Sequence, residues 1–123
     1  LALGVVAPTT QLSLRHLRHQ GWMVDIVERY QGGKRHDLFG MLDLLAVRHR
    51  ETLGVQVTSA GNVSARRNKM HDDDHWADLL RLKDAGWLVV VHGWRKSTRD
   101  GHACKHGKAR CACIWTLHRN EQL

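Results

Sequence analysis

The sequence predicts an α/β fold with a mixed β-sheet, on three observations. A helical stretch over residues 10–20 precedes three strand-like runs, at 22–30, 41–47 and 52–58. Turn-forming residues separate those runs, which makes them an antiparallel meander. A second helical region, 59–85, then leads into a short apolar run, 88–92, and a helix between two strands makes a parallel, right-handed crossover. With a last strand at 114–118, the order is α-β-β-β-α-β plus a terminal strand. The 123 residues suit one domain over 10–123, preceded by a tail over 1–9 and interrupted by a Cys/His-rich basic loop or hairpin over 97–113.

Each element has a local reason. Thr10 or Ser13 is suited to cap the first helix, Leu14 and Leu17 fall on its inner face, Arg15, His16, Arg18 and His19 fall mostly outside, and Gly21 ends it. Residues 22–30 read as one strand, and Gln31-Gly32-Gly33-Lys34 as a turn. In 41–47 the alternate sets are Met41, Asp43, Leu45, Val47 and Leu42, Leu44, Ala46, so both faces are apolar apart from Asp43. That pattern predicts a central, covered strand. In 52–58 Leu53, Val55 and Val57 form an apolar face, while Gly54, Gln56 and Thr58 are small or polar. In the helical region, Asn62 and Ser64 are first of all caps, and the helix breaks near His71. Asp72, Asp73 and Asp74 then suit a second N-terminus, Trp76, Leu79 and Leu80 an inner stripe, and Gly86 a stop. Trp22, Trp76, Trp87 and Trp94 read as core or edge packing.

Charge bounds the partners. Nineteen Lys and Arg against twelve Asp and Glu give +7 with the ten His neutral, which favours a polyanionic partner, nucleic acid first. No apolar run approaches the about 20 residues that span a bilayer, and no signal peptide is visible, so the expectation is a soluble, cytoplasmic chain without a membrane partner.

Asp43 is the most informative residue. A lone carboxylate in an apolar strand is paired, bound to metal or placed at the solvent-reached end, because burying it unpaired costs several kcal/mol or more, on the order given for buried ions. If the polar face of 52–58 lies on its side, one cleft holds a carboxylate, an amide and a hydroxyl, with Arg66, Arg67 and Lys69 close behind. That is what a small metal-dependent nuclease needs. The three basic residues read first as a solvated helix face, and beside the cleft they would hold DNA phosphates.

A second feature lies at the Cys segment. Cys104, His106, Cys111 and Cys113 offer three thiols and an imidazole, and Zn²⁺ takes four such ligands tetrahedrally. The spacing is not a recognised CxxC pair, and the competing reading is a basic loop with an odd thiol count that merely contacts DNA.

The helix, the meander with Asp in its second strand, the triplet Gln56-Val57-Thr58 in the third, and the following helix and strand together resemble the core of the PD-(D/E)xK nuclease superfamily over about residues 10–94. The runs 37–43, 54–59, 62–66 and 93–96 are also similar to small phage and bacterial members of it. Archaeal-type Holliday junction resolvases and restriction-endonuclease-like domains are its better-known relatives. The resemblance implies a restriction-endonuclease-like fold and a Mg²⁺- or Mn²⁺-dependent deoxyribonuclease. It implies Asp43 as metal ligand, Gln56 at the position of the triplet's acid, a backbone carbonyl from Val57, and Thr58 where the lysine belongs. Lys69 or Lys34 would then deliver the missing charge. Asp37 would restore a carboxylate, or instead cap its turn or pair with Arg35. DNA contacts fall to Arg66, Arg67, Lys69, Lys34, Arg95 and Lys96, and a homodimer is compatible with cutting two strands. Two alternatives stand beside this reading: a catalytically silent DNA-binding protein on the same fold, and a small zinc-stapled interaction protein.

Overall fold

The computed structural model describes residues 6–98 and 113–123. Helix α1 (Pro8–His19) starts two residues before the expected Thr10, inside the segment read as a tail. Pro8 sits in the first turn, where its missing N–H costs no hydrogen bond. Thr10 and Ser13 are therefore not caps but buried helix residues, inward with Leu14 and Leu17. Gly21, at φ +87°, ends the helix as expected.

The expected strand 22–30 is two strands. β1 (Met23–Ile26) belongs to the main sheet, and β2 (Arg29–Gln31) pairs instead with β3 (Lys34–His36) in a separate hairpin closed by Gly32 and Gly33, both at positive φ. Between them, the N–H groups of Val27 and Glu28 both donate to the Asp43 carbonyl, at 2.9 and 3.3 Å, which carries the chain off its first line. The expected strand 41–47 begins only at β4 (Leu44–Arg48). Met41 and Leu42 belong to a tight turn in which Leu38 bridges Leu42, with Phe39 and Gly40 at positive φ. Asp43 thus stands at the mouth of β4 rather than inside it, its N–H donating to Val55 O at 2.8 Å.

β4 runs antiparallel to β1 and to β5 (Glu51–Ser59), with Leu44 opposite Val55. β5 runs parallel to β6 (Leu88–Ser97), and β6 antiparallel to β7 (Ile114–Gln122), which continues past the expected 118. The main sheet order is β1-β4-β5-β6-β7, so the meander and the parallel crossover are both present.

The crossover from β5 to β6 carries a 3-10 turn (Ala60–Asn62), α2 (Val63–Met70) and α3 (Trp76–Asp84). The break near His71 is where the sequence places it, but the three aspartates precede α3 instead of forming its first turn. The Asp72 carboxylate takes the N–H groups of Asp74 and His75 at 3.0 Å each and touches His75 Nδ1 at 2.7 Å, and His75 draws its pKa down. Starting at Trp76, the helix turns Leu79 and Leu82 inward, and Trp76 and Leu80 are exposed, not part of the stripe. α1 packs with Leu44, Ala46, Val55, Val57 and Trp94 on one face of the sheet; α2 and α3 pack with Leu42, Val89 and Val91 on the other. Gly93 permits the close approach of the second layer, since a Cβ there would meet Val63 Cγ2 at 2.4 Å and Ala60 Cα at 3.0 Å. No helix among the described residues is long and apolar enough to cross a membrane.

Candidate metal centre

Three chain segments bring their acidic side chains to one point at the start of β4, beside β5. Glu28 leaves the end of the β1 line, Asp37 follows β3, and Asp43 precedes β4; one oxygen from each lies within 4.8 Å of the others. The burial is steep. The side chains of Asp43 and Glu28 are 0% and 1% exposed, while Asp37 retains partial access to solvent.

Asp43 is held from several sides. Its Oδ2 accepts the Val57 N–H at 2.7 Å and the Gln56 amide at 2.9 Å, and its Oδ1 accepts Arg35 Nη2 at 2.5 Å. The polar face of β5 therefore does meet Asp43. Gln56 reaches it as a donor, however, and the Val57 atom that touches it is the N–H, not the carbonyl. Thr58 is buried in the same strand, where the resemblance to PD-(D/E)xK nucleases implies a lysine position.

Arg35 occupies the middle of the cluster. Its Nε is 2.7 Å from Glu28 Oε2 and 3.1 Å from Asp37 Oδ1. The pairing of Asp37 with Arg35, one of the roles open from sequence, is thus present. Arg35 makes no hydrogen bond to either oxygen of Glu28, so their contact is an ion pair of poor directionality, and the Asp43 carboxyl is the group beside Glu28 that lowers its pKa through a side-chain hydrogen bond. Three carboxylates face one guanidinium, which leaves negative charge in excess when all are ionised. The consequences follow in the titration of each group. Burial pushes the Asp43 carboxyl up to about 7, the Val57 N–H and Arg35 pulling against it and Asp37 adding to it. Burial also raises Glu28, which Arg35 offsets only in part. Burial alone would lower Arg35, but Asp43, Asp37 and Glu28 outweigh it and raise it further, so it stays charged.

The donor set fits a hard divalent cation. Carboxylate oxygens on opposite sides of a Mg²⁺ octahedron stand about 4.2 Å apart, and Mn²⁺ or a larger cation spreads them slightly more. Glu28, Asp37 and Asp43 are the residues that would hold it. Glu28 was absent from the sequence-derived site because residues 22–30 read as a plain strand. Its signal was there nonetheless: Val24, Ile26 and Glu28 share one alternation, which sets a carboxylate on an apolar face.

The other expected site residues lie apart. Lys69 is exposed on α2, Arg66 half-buried, and Arg67 reaches across to Glu121 of β7 at 2.8 Å, two strands away from β5. Lys34 is exposed on the hairpin. Lys96 lies over the Trp115 ring at 5.5 Å, and the Arg95 carbonyl accepts from Thr116. Cys104, His106 and Cys111 are outside the described residues; Cys113 is half-buried just before β7.

A second buried polar cluster joins α1 to β6. Ser13 Oγ accepts Trp94 Nε1 at 2.7 Å and lies 2.9 Å from His92 Nδ1, with the His16 ring edge-on to both His92 and Trp94. Burial, and then the charge of His16, lower the His92 pKa to about 4, so the imidazole is neutral.

No family model, curated protein or solved structure matches the chain.

Proposed function

We propose that the chain is a metal-dependent nuclease that hydrolyses DNA phosphodiester bonds, on a restriction-endonuclease-like core of the PD-(D/E)xK type. The observation that carries this reading is the convergence of Glu28, Asp37 and Asp43 at the end of β4, beside the triplet strand, in a chain of net charge +7. A divalent cation held there would supply a more acidic water and a positive charge beside the phosphate. The protein's own part is positional. Val57 N–H and the Gln56 amide fix the Asp43 carboxylate, and the low exposure of Glu28 and Asp43 keeps competing water from it. Lys34 on the hairpin and Lys69 on α2 are exposed cations available to phosphates along the backbone, a contact that is sequence-independent and salt-sensitive.

One observation favours a second reading. Arg35 already neutralises part of the acidic cluster, and Thr58 supplies no ammonium, as in a silent DNA-binding module on the same fold. Cleavage of supercoiled plasmid, single-stranded and four-way-junction DNA with Mg²⁺, Mn²⁺ or EDTA, alongside Asp43→Ala, separates the two. The nuclease cuts only with metal and falls to background in the variant. Metal-independent, salt-sensitive binding without cutting makes the silent module correct, and cutting unchanged in Asp43→Ala sinks the proposed site.

A further inference from the structure

We propose that Arg35 is the cation that acts on the substrate phosphate in place of the lysine that Thr58 replaces, and that a divalent cation entering among Glu28, Asp37 and Asp43 releases it to do so. This rests on the nuclease reading above.

The placement argues for it first. The Arg35 guanidinium contacts the three carboxylates that would hold the metal, at 2.5 Å from Asp43, 2.7 Å from Glu28 and 3.1 Å from Asp37. A guanidinium and a divalent cation cannot both take those oxygens at close range, so the two compete for one place. The fit of the present occupant is incomplete: the Glu28 side chain is almost wholly buried, yet Arg35 makes no hydrogen bond to either of its oxygens. A guanidinium built in as a permanent partner frequently pairs its fork with a carboxylate bidentately. Here it donates to Asp43 and Asp37 but meets Glu28 with charge alone, whereas a divalent cation would take a lone pair from all three acids.

The means of release are also present. Arg35 lies on β3, in a two-stranded hairpin whose strands pair only with each other, and its side chain is 34% exposed. It can leave the carboxylates without disturbing a strand of the core. Displaced, it remains within side-chain reach of Asp43 and keeps its charge at any working pH. Five donors in a planar fork match phosphate oxygens and stabilise charge as it develops there. Arg35 takes and gives no proton in this role. Lys34 is a poorer candidate, since neighbouring residues of a strand point to opposite faces and Arg35 is the one that faces the acids. Lys69 is exposed on α2, and Arg35 rather than Lys69 contacts Asp43.

The test sets two readouts of opposite sign on one substitution. Mn²⁺ binding to the full chain is titrated calorimetrically for wild type, Arg35→Gln, Arg35→Lys and Asp43→Asn, and plasmid cleavage is measured for each at saturating Mn²⁺. Arg35→Gln is expected to bind Mn²⁺ about tenfold tighter, because its competitor is gone, and to cleave about a hundredfold more slowly. Arg35→Lys, with a single-point charge, is expected to fall between on both. An arginine that only props up the fold would weaken binding and cleavage together. Unchanged or weaker Mn²⁺ binding in Arg35→Gln, or full cleavage at saturation, overturns the proposal while leaving the metal site standing, provided Asp43→Asn abolishes binding. If wild type shows no Mn²⁺ binding that Asp43→Asn removes, the nuclease reading fails and the Arg35 role with it. Should Arg35→Gln not fold, Arg35→Lys decides: wild-type affinity and rate in that variant overturn the role.

Discussion

The two buried polar clusters, one at the mouth of β4 and one between α1 and β6, are opposites in how they are satisfied. Ser13, His92 and Trp94 form a neutral set in which the indole donates, the hydroxyl accepts and has a proton of its own to give, and the imidazole stays uncharged. Glu28, Asp37, Asp43 and Arg35 form a charged set with too few cations and a buried acid that its arginine meets without a hydrogen bond. A fully satisfied network specifies a core, whereas a charge-unbalanced one is kept for something it binds. On the proposed reading the first cluster is structural and the second functional, although Glu28 and Asp43 are as deeply buried as Ser13 and His92.

Breaking the neutral set has the largest expected effect on stability. Ser13→Ala strands a buried indole N–H and a buried imidazole nitrogen, and is expected to cost about 3 kcal/mol in urea denaturation. A loss under about 0.5 kcal/mol, the level of a surface change, would remove the distinction between the clusters.

The pH dependence of stability is expected to split by cluster. His92 has a folded pKa of about 4 against an ordinary 6.5, so below 6.5 the unfolded chain takes up the proton first and stability falls as the pH drops towards 4. The stability advantage of wild type over His92→Gln should shrink by about 3 kcal/mol over that window. Asp43 in the metal-free chain works the other way: its folded pKa is raised to about 7, so its contribution is present at low pH and is lost as the pH rises through 7. The difference between wild type and His92→Gln cancels the Asp43 contribution, and a flat difference would show that His92 is not held neutral.

The smallest change sharpens the contrast most. Glu28→Gln removes like charge from the acidic set, and is expected to leave metal-free stability unchanged or raise it by about 1 kcal/mol. It should also abolish the rise of Tm with added Mn²⁺ that wild type is expected to show through binding to the folded state. A loss as large as that of Ser13→Ala would make Glu28 a structural acid.

Much of the fold was legible because it rests on local patterns. Period-2 alternation in 52–58, glycines at positive φ such as Gly21 and Gly86, and a helix between two strands are enough for the meander, the helix ends and the parallel crossover. Asp43 and its contact with Gln56 were legible for the same reason, as a polar residue out of place on an apolar face and a polar face opposite it.

The remainder depended on contacts between residues distant in sequence or on changes of direction that leave the pattern intact. The chain leaves β1 at Val27 and Glu28 because their N–H groups meet the Asp43 carbonyl, and alternation continues across that departure without a mark. Likewise Trp76 and Leu80 carry apolar side chains at helical spacing, but the turn at 71–75 aims Leu79 and Leu82 at the sheet instead. The sequence by itself determined the helices, the meander and parallel crossover of the main sheet, and the one acid that had to be accounted for, but not the β2–β3 hairpin. Only the tertiary structure decided which acids join it and that Arg35, not Lys69, is the cation among them. Strand and helix periods arise from each residue's own backbone, while a charge cluster is assembled from loops whose meeting point exists only once the sheet has formed.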